Sequence, residues 1–200
     1  MNRQTDILSF WFGDVTIIFH HIEERLDLWF RSKPHHDVEI KKLFATDVEK
    51  AANGDYDDWA NEPRGQLALI ILLDQLPRVI YRHHPDAFRT DAEAMQVVLD
   101  GIKKQHDEKL TPIERVFFYM PFQHTEDLEL QKKGVQLFKE LYQENSDSEQ
   151  QCYFERFYDF ALRHYNVIAK FGRFPHRNQY LGRSTTPEEL EFLKHTPGGF

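Results

Sequence analysis

Apolar residues recur along this chain at three- and four-residue spacing, and no stretch alternates long enough to predict a strand. Thr5 can cap a short first helix over Asp6 to Phe12, closed by Gly13. His20 to Phe30 gathers Ile22, Leu26, Trp29 and Phe30 on one face, which predicts a second. A third, about Asp37 to Asn53, follows Pro34 and carries Val38, Leu43, Phe44, Val48 and Ala51 as its stripe, with Gly54 at the expected end. Leu67-Ala-Leu-Ile-Ile-Leu-Leu73 is apolar all round, so a helix from Pro63 to Gln75 is expected to be the most central. Pro77 is then expected to break or kink it, and a fifth helix to run from Pro85 to Gln105.

Three later starts are marked by capping chemistry. Thr111-Pro-Ile-Glu114, Ser146-Asp-Ser-Glu149 and Thr186-Pro-Glu-Glu189 each set a hydroxyl three residues before a Glu, so the two side chains can satisfy orphan backbone N–H groups reciprocally. The first opens an aromatic-rich helix predicted to stop at Pro121. A helix from about Glu126 to Gln143, capped by Thr125, follows it. The second opens a long helix to about Phe171, with Phe154, Phe157, Ala161, Tyr165 and Ile168 on one stripe, and the third opens a short final helix. The expected fold is all-α: a single domain over residues 1–200, an irregular array of about eight helices with an ordered C-terminal loop.

Composition narrows what such a body can do. The net charge of -8 argues against general nucleic-acid binding, which needs clustered Lys and Arg. The single cysteine, Cys152, allows no intrachain disulfide and fits a reducing compartment. The first residues do not read as a signal peptide. The apolar run from Leu67 to Leu73 is far short of the roughly 18–20 residues that cross a bilayer, so no membrane association and a cytoplasmic location are expected.

Four places set charged groups among large apolar residues. Asp74 follows the most apolar run, with Arg78 close enough to pair with it; the two read either as a structural ion pair at a kink or as a pocket rim. His124 and Glu126 lie at the turn after Phe117-Phe-Tyr-Met-Pro-Phe-Gln, where an imidazole could move protons near neutral pH. His164 shares the apolar stripe of the long helix with Phe160 and Ile168. The fourth place is Phe171-Gly-Arg-Phe-Pro-His-Arg-Asn178, continuing to Leu181-Gly-Arg183. It holds Arg173, His176, Arg177, Asn178 and Arg183, and no carboxylate lies between Lys170 and Pro187. Guanidinium forks bind carboxylates or phosphates bidentately, so this island either holds an anionic ligand or clamps onto internal acids such as Asp74 and Glu126.

Several of these segments carry a family resemblance. Phe10-Trp-Phe-Gly13, Trp29-Phe30, Leu67 through Leu-Asp-Gln-Leu-Pro-Arg78, Tyr119-Met-Pro-Phe-Gln-His124, Phe171 to Asn178, Leu181-Gly-Arg183 and Thr186-Pro-Glu-Glu189 resemble the mostly bacterial domain of unknown function 924. The resemblance implies an all-α fold of the tetratricopeptide-like helical superfamily, and no activity, substrate or cofactor. The chain departs from that pattern at Val79, where the family carries Asn, and at Gln123, where it carries Glu.

The functional expectation is a small anionic ligand, carboxylate or phosphate, in a His- and Arg-lined site, with hydrolytic or transfer chemistry conceivable. Asp74, Arg78, His164, Arg173, Arg177, Asn178 and Arg183 would bind it; His124, Glu126 and His176 would handle protons. The alternative is a helical scaffold for a protein or peptide, with the polar motifs purely structural. His124, Glu126, His164 and His176 show no diagnostic metal spacing, so neither metal nor cofactor is expected.

Overall fold

The amphipathic stripes are realised as helices throughout. The computed structural model describes residues 2–13, 22–30 and 33–196, and among them every regular element is helical. The α-helices are α1 (Arg3–Phe12), α2 (Ile22–Phe30), α3 (Pro34–Ala52), α4 (Pro63–Ile70), α5 (Leu76–Ile80), α6 (Asp91–Lys103), α7 (Pro112–His124), α8 (Leu128–Glu144), α9 (Gln151–Phe171) and α10 (Pro187–His195). None is long and apolar enough to cross a membrane, among the described residues. The first two positions of the expected second helix, His20 and His21, lie outside the described residues. The chain falls into two compact units. Unit 1 is Met1–Arg82 with Asp86–Phe118; unit 2 is His83–Pro85 with Tyr119–Phe200.

Unit 1 is built round the apolar run. Leu67 to Leu73 are each at most 3% exposed, as a helix apolar on all faces requires. The aromatics of α1 and α2 are core: Trp11, Phe12 and Trp29 meet Phe117 edge to face, with centroids 5.7, 5.3 and 4.6 Å away. Phe10 is half-buried, and Phe30 is 49% exposed. Asn2, not Thr5, caps α1, accepting from the Gln4 N–H at 3.2 Å, so the helix starts three residues earlier than expected. The predicted Pro85–Gln105 helix is a single 3-10 turn, Pro85–Phe88, followed by α6.

Pro77 does not end the central helix. A π-helical turn over Ile71–Gln75 inserts before it, the Leu76 N–H bonds back to Ile71, and the helix resumes as α5 to Ile80. Proline has no N–H to offer the carbonyl four residues back, that of Leu73. The Thr90 hydroxyl donates there instead, at 2.6 Å, from the residue that starts α6. The same turn carries the fully buried Asp74, which accepts from the Gln75 amide at 2.6 Å and from Arg78 at 3.1 Å. Arg78 in turn reaches Asp91 of α6 at 2.6 Å.

Unit 2 holds the end of α7 with α8, α9 and α10. Gly134 lets α8 approach α7, since a Cβ there would stand 2.6 Å from the Phe122 Cβ. The aromatic helix was expected to stop at Pro121, yet it runs on to His124. Met120, Phe122 and Gln123 are at most 4% exposed, and that packing outweighs a proline penalty of roughly 3 kcal/mol. Asp127 rather than Thr125 caps α8, accepting from the Leu130 N–H at 2.9 Å. The Ser146–Glu149 box does not form. Ser148 turns its hydroxyl onto the Asn145 carbonyl at 2.8 Å, and α9 begins at Gln151 without a side-chain cap. Thr186 and Glu189 form the predicted reciprocal box at α10.

All three tryptophans, Trp11, Trp29 and Trp59, lie in unit 1, so its unfolding can be followed by their fluorescence. Replacing Thr90 by Val orphans the buried Leu73 carbonyl and is expected to lower unit 1 stability by about 1–3 kcal/mol in urea titrations. Thr90→Ser keeps the hydroxyl and is expected to recover most of that loss.

Candidate functional site

The segment after α9 leaves the helix at Gly172, whose φ of 67° puts it in the left-handed region while its N–H returns to the Ile168 carbonyl at 2.8 Å. Phe174 then turns inward. It is fully buried against Val167 and Ile168, with Leu128, Phe171 and Phe192 around them. Pro175–Arg177 forms one 3-10 turn, Gly182 turns the chain again at φ 65°, and Thr186 starts α10.

Two of the three arginines in this segment are committed to carboxylates. Arg173 forks onto Glu189, Nε to Oε1 at 2.6 Å and Nη2 to Oε2 at 2.9 Å. Arg183 forks onto Glu126 at 2.7 and 3.0 Å and also donates to the Phe174 carbonyl at 3.1 Å. Glu126 takes the Phe174 N–H as well, at 2.8 Å. Asn178, 1% exposed, donates to Thr185 at 3.3 Å and Glu189 at 3.2 Å; its Oδ1 has no hydrogen-bond donor among the described residues. Within these pairs the arginines act as clamps, and the oxygens of Glu126 are engaged by the loop.

The electrostatics follow. Arg173, followed by the Thr186 N–H, draws the Glu189 carboxyl down to about 2 against the effect of its burial. Burial works to raise Glu126, but the Arg183 and Phe174 hydrogen bonds and the charges of Arg183 and Arg177 outweigh it and hold the group below its ordinary value.

Arg177 is placed differently. It is 6% exposed, donates to the His124 carbonyl at 2.9 Å, and lies over the Phe174 ring at 4.6 Å. Two imidazoles lie beside the same ring, and a third lies beside one of them. His164 meets the ring edge-on at 5.8 Å between centroids, His176 lies at 5.7 Å, and His124 stands 6.1 Å from His164. The three come from α9, the 3-10 turn and the end of α7, and all are half-buried. His164 Nδ1 lies 2.8 Å from the Phe160 carbonyl of its own helix. Burial, then His124, then Arg177 and His176, push its pKa down to about 3.

The expected residues thus fall into two sets. His124, Glu126, His164, Arg173, His176, Arg177, Asn178 and Arg183 lie together in unit 2, joined through Phe174 and Glu189. Asp74 and Arg78 lie in unit 1 and pair with each other and with Asp91. Glu189, Phe174 and Asp91 were not singled out as site residues from the sequence. Glu189 had a signal, since Glu188 and Glu189 are the first acids beyond the acid-free stretch. Tyr180 was also missed; its hydroxyl lies 2.9 Å from Nδ1 of His83, a residue held at φ 66°. Among the described residues no group of three or more His, Cys, Asp or Glu is arranged to hold a metal ion.

A family model for a bacterial protein of unknown function (DUF924) matches residues 7–197. The chain belongs to the DUF924 family. A solved structure similar to this chain is that of a protein of unknown function from Agrobacterium tumefaciens. It is 31% identical, with a TM-score of 0.80 over 96% of this chain and 97% of that one. A comparison with the curated proteins gives no match. The all-α expectation is therefore met both by the DUF924 chain itself and by a solved fold of similar sequence.

His164 gives the cluster a pH signature. Its folded pKa lies below the ordinary value near 6.5, so the unfolded chain takes up a proton that the folded chain refuses. Stability from this group is full above about pH 6.5 and is lost as pH falls toward 3, by at most about 1.4 kcal/mol per pH unit. Between pH 7 and 5, wild type is expected to lose stability relative to His164→Gln in urea titrations. A difference independent of pH would contradict the assignment. The Glu189 contribution is lost lower, between about 4.5 and 2, so it does not overlap this window.

Proposed function

We propose that this protein binds a small anion, phosphate or carboxylate, on the cluster of His124, His164, His176 and Arg177 in unit 2. The observation that carries the reading is the company His164 keeps. The neighbours that act on it electrostatically, His124, Arg177 and His176, all disfavour its protonation. Concentrating like-signed groups beside a half-buried imidazole costs stability, and an anion at that point returns it. Arg173 and Arg183 pair with Glu189 and Glu126, and Arg177 lies over the Phe174 ring beside His164 and His176.

In this reading Arg173, Asn178 and Arg183 bind no ligand themselves. They hold the loop that presents Arg177 and His176. Arg177 supplies the fixed charge, and His124 and His176 supply donors whose protonation the anion favours. Asp74 and Arg78 serve the π turn of unit 1.

Thermal unfolding in inorganic phosphate or acetate against chloride at matched ionic strength tests the proposal. At ten times the dissociation constant a ligand stabilises by about 1.4 kcal/mol, an expected rise of roughly 3–6 °C. The rise should saturate. It should shrink by half or more in His176→Asn and persist in Arg163→Ala, whose guanidinium pairs with Asp159 on α9. No difference between the salts, or equal shifts in both variants, would remove the reading.

A further inference from the structure

α10 docks by a residue type that helices normally keep outside. Of its nine residues only Glu189 is buried, at 2% exposure. Leu190 stands 54% exposed. Phe192 and Leu193, three and four positions after Glu189 and so on its face, are half-buried. A helix held by packing shows the reverse pattern, as α9 does with Phe154, Phe157, Ala161, Val167 and Ile168 inside. The attachments of residues 184–196 run largely through two donors. Glu189 takes the Arg173 fork at 2.6 and 2.9 Å and the Asn178 amide at 3.2 Å. Arg173 also donates to the Ser184 carbonyl at 2.9 Å, and Asn178 to the Thr185 hydroxyl at 3.3 Å. Beside these stand the exposed Lys170–Glu188 pair and the Phe192 ring, 5.2 Å from Phe171 and packed against the cluster of Val167, Ile168 and Phe174.

We propose that α10 is a strap latched through Glu189, which lifts from unit 2 as one piece while α8, α9 and the loop up to Arg183 stay folded. Its boundary is marked in the chain. Arg183 is held by Glu126 at 2.7 and 3.0 Å, and Glu126 also keeps the Phe174 N–H at 2.8 Å. The loop therefore retains its own anchor when α10 leaves. The break falls at Ser184, just after the turn that Gly182 makes at φ 65°.

One carboxylate concentrates what holds the strap. Hydrogen bonds to an ionised group are stronger than neutral ones, and those of Glu189 are given up together. Lifting is therefore a single step rather than a residue-by-residue peeling. It takes Phe192 from the cluster that seats Phe174 and leaves Arg173 and Asn178 without Glu189. The Thr186–Glu189 box travels with the strap, but nine residues are too few to hold a helix in water. A lifted strap thus loses its backbone hydrogen bonds, which makes the opening visible as amide exchange. Nothing in this opening requires a bound anion.

Native-state hydrogen exchange of the full chain, resolved amide by amide at neutral pH and low urea, reads the strap directly. The amides from Leu190 to Lys194 are expected to share one opening rate, at least about a hundredfold faster than the buried Phe157 and Ala161 of α9. Their exchange should respond little to urea, because lifting exposes little surface, whereas Phe157 and Ala161 should follow global unfolding. Glu189→Gln keeps the shape and removes the charge. It is expected to speed exchange in α10 by about tenfold to a hundredfold and in Phe157 and Ala161 by less than about threefold. Lys170→Ala, which removes only the exposed pair to Glu188, should change α10 by less than about threefold. Exchange of α10 and α9 at one rate with one urea slope overturns the proposal. So does a gradient falling from Lys194 toward Leu190, which is ordinary fraying. A Glu189→Gln chain that speeds both helices equally, or that does not fold, overturns it as well, because Glu189 would then hold the whole unit.

Discussion

The Glu126 carboxylate fixes the loop on which the candidate site depends. Its two oxygens take three donors, the backbone N–H of Phe174 and both terminal nitrogens of Arg183. An isolated exposed ion pair contributes roughly 0–1 kcal/mol, but a bidentate fork with a backbone donor is charge-assisted throughout and geometrically specific. Holding the Phe174 nitrogen seats its ring against Val167 and Ile168. The ring then orders what lies around it: Arg177 on one face, with His164 and His176 beside it. Arg173 does the equivalent at the other end, tying the loop to Glu189 just inside α10. Two carboxylates from outside the loop thus convert a stretch without acids into a rigid carrier.

That dependence explains what could be read in the sequence. A run with three arginines and no acid from 171 to 186 must find anions elsewhere, and Glu126 was a named candidate. Asp74 was the other, and it is engaged by Arg78 and Gln75 in unit 1. The arginines could not be ranked from sequence. Arg173, Arg177 and Arg183 look alike as letters, and their difference lies in what α7, α10 and the turn before α8 bring to each. The imidazoles were visible singly, each at an apolar place. Their convergence was not visible, because positions 124, 164 and 176 share no periodicity; the seating of Phe174 sets His164 and His176 beside one ring, and His124 lies beside His164.

The helices were legible because amphipathic periodicity survives any local disturbance. The errors share one cause. Pro121 was read as a stop and Pro77 as a break or kink from local chemistry, yet both sit in segments whose neighbours are almost wholly buried. Packing there exceeds the cost of a missing hydrogen bond, and in unit 1 the Leu73 carbonyl is satisfied from sixteen residues beyond Asp74, by Thr90. The Ser146 box failed the opposite way. With little apolar surface to organise, the hydroxyl of Ser148 closed a turn and the helix waited until Gln151. Thr186–Glu189 succeeded because its Glu is held twice, by the Thr186 N–H and by Arg173.

The same logic separates the two buried charge clusters. Asp74, Arg78 and Asp91 join a guanidinium to acids on both sides, which suits a staple between the π turn and α6. In unit 2 Glu126 and Glu189 hold the loop, and His164 and His176 lie beside Phe174 with Arg177 over its ring. Imidazoles differ from lysines or arginines in one respect that decides how such a cluster can exist: they shed their charge. His164 does so, with its remaining hydrogen pointed at its own helix. Burial, with His124 and Arg177 beside it, keeps His164 neutral, while Arg177 keeps its charge. The protonation of His164 thus depends on a packing arrangement set by a ring that a single carboxylate holds in position.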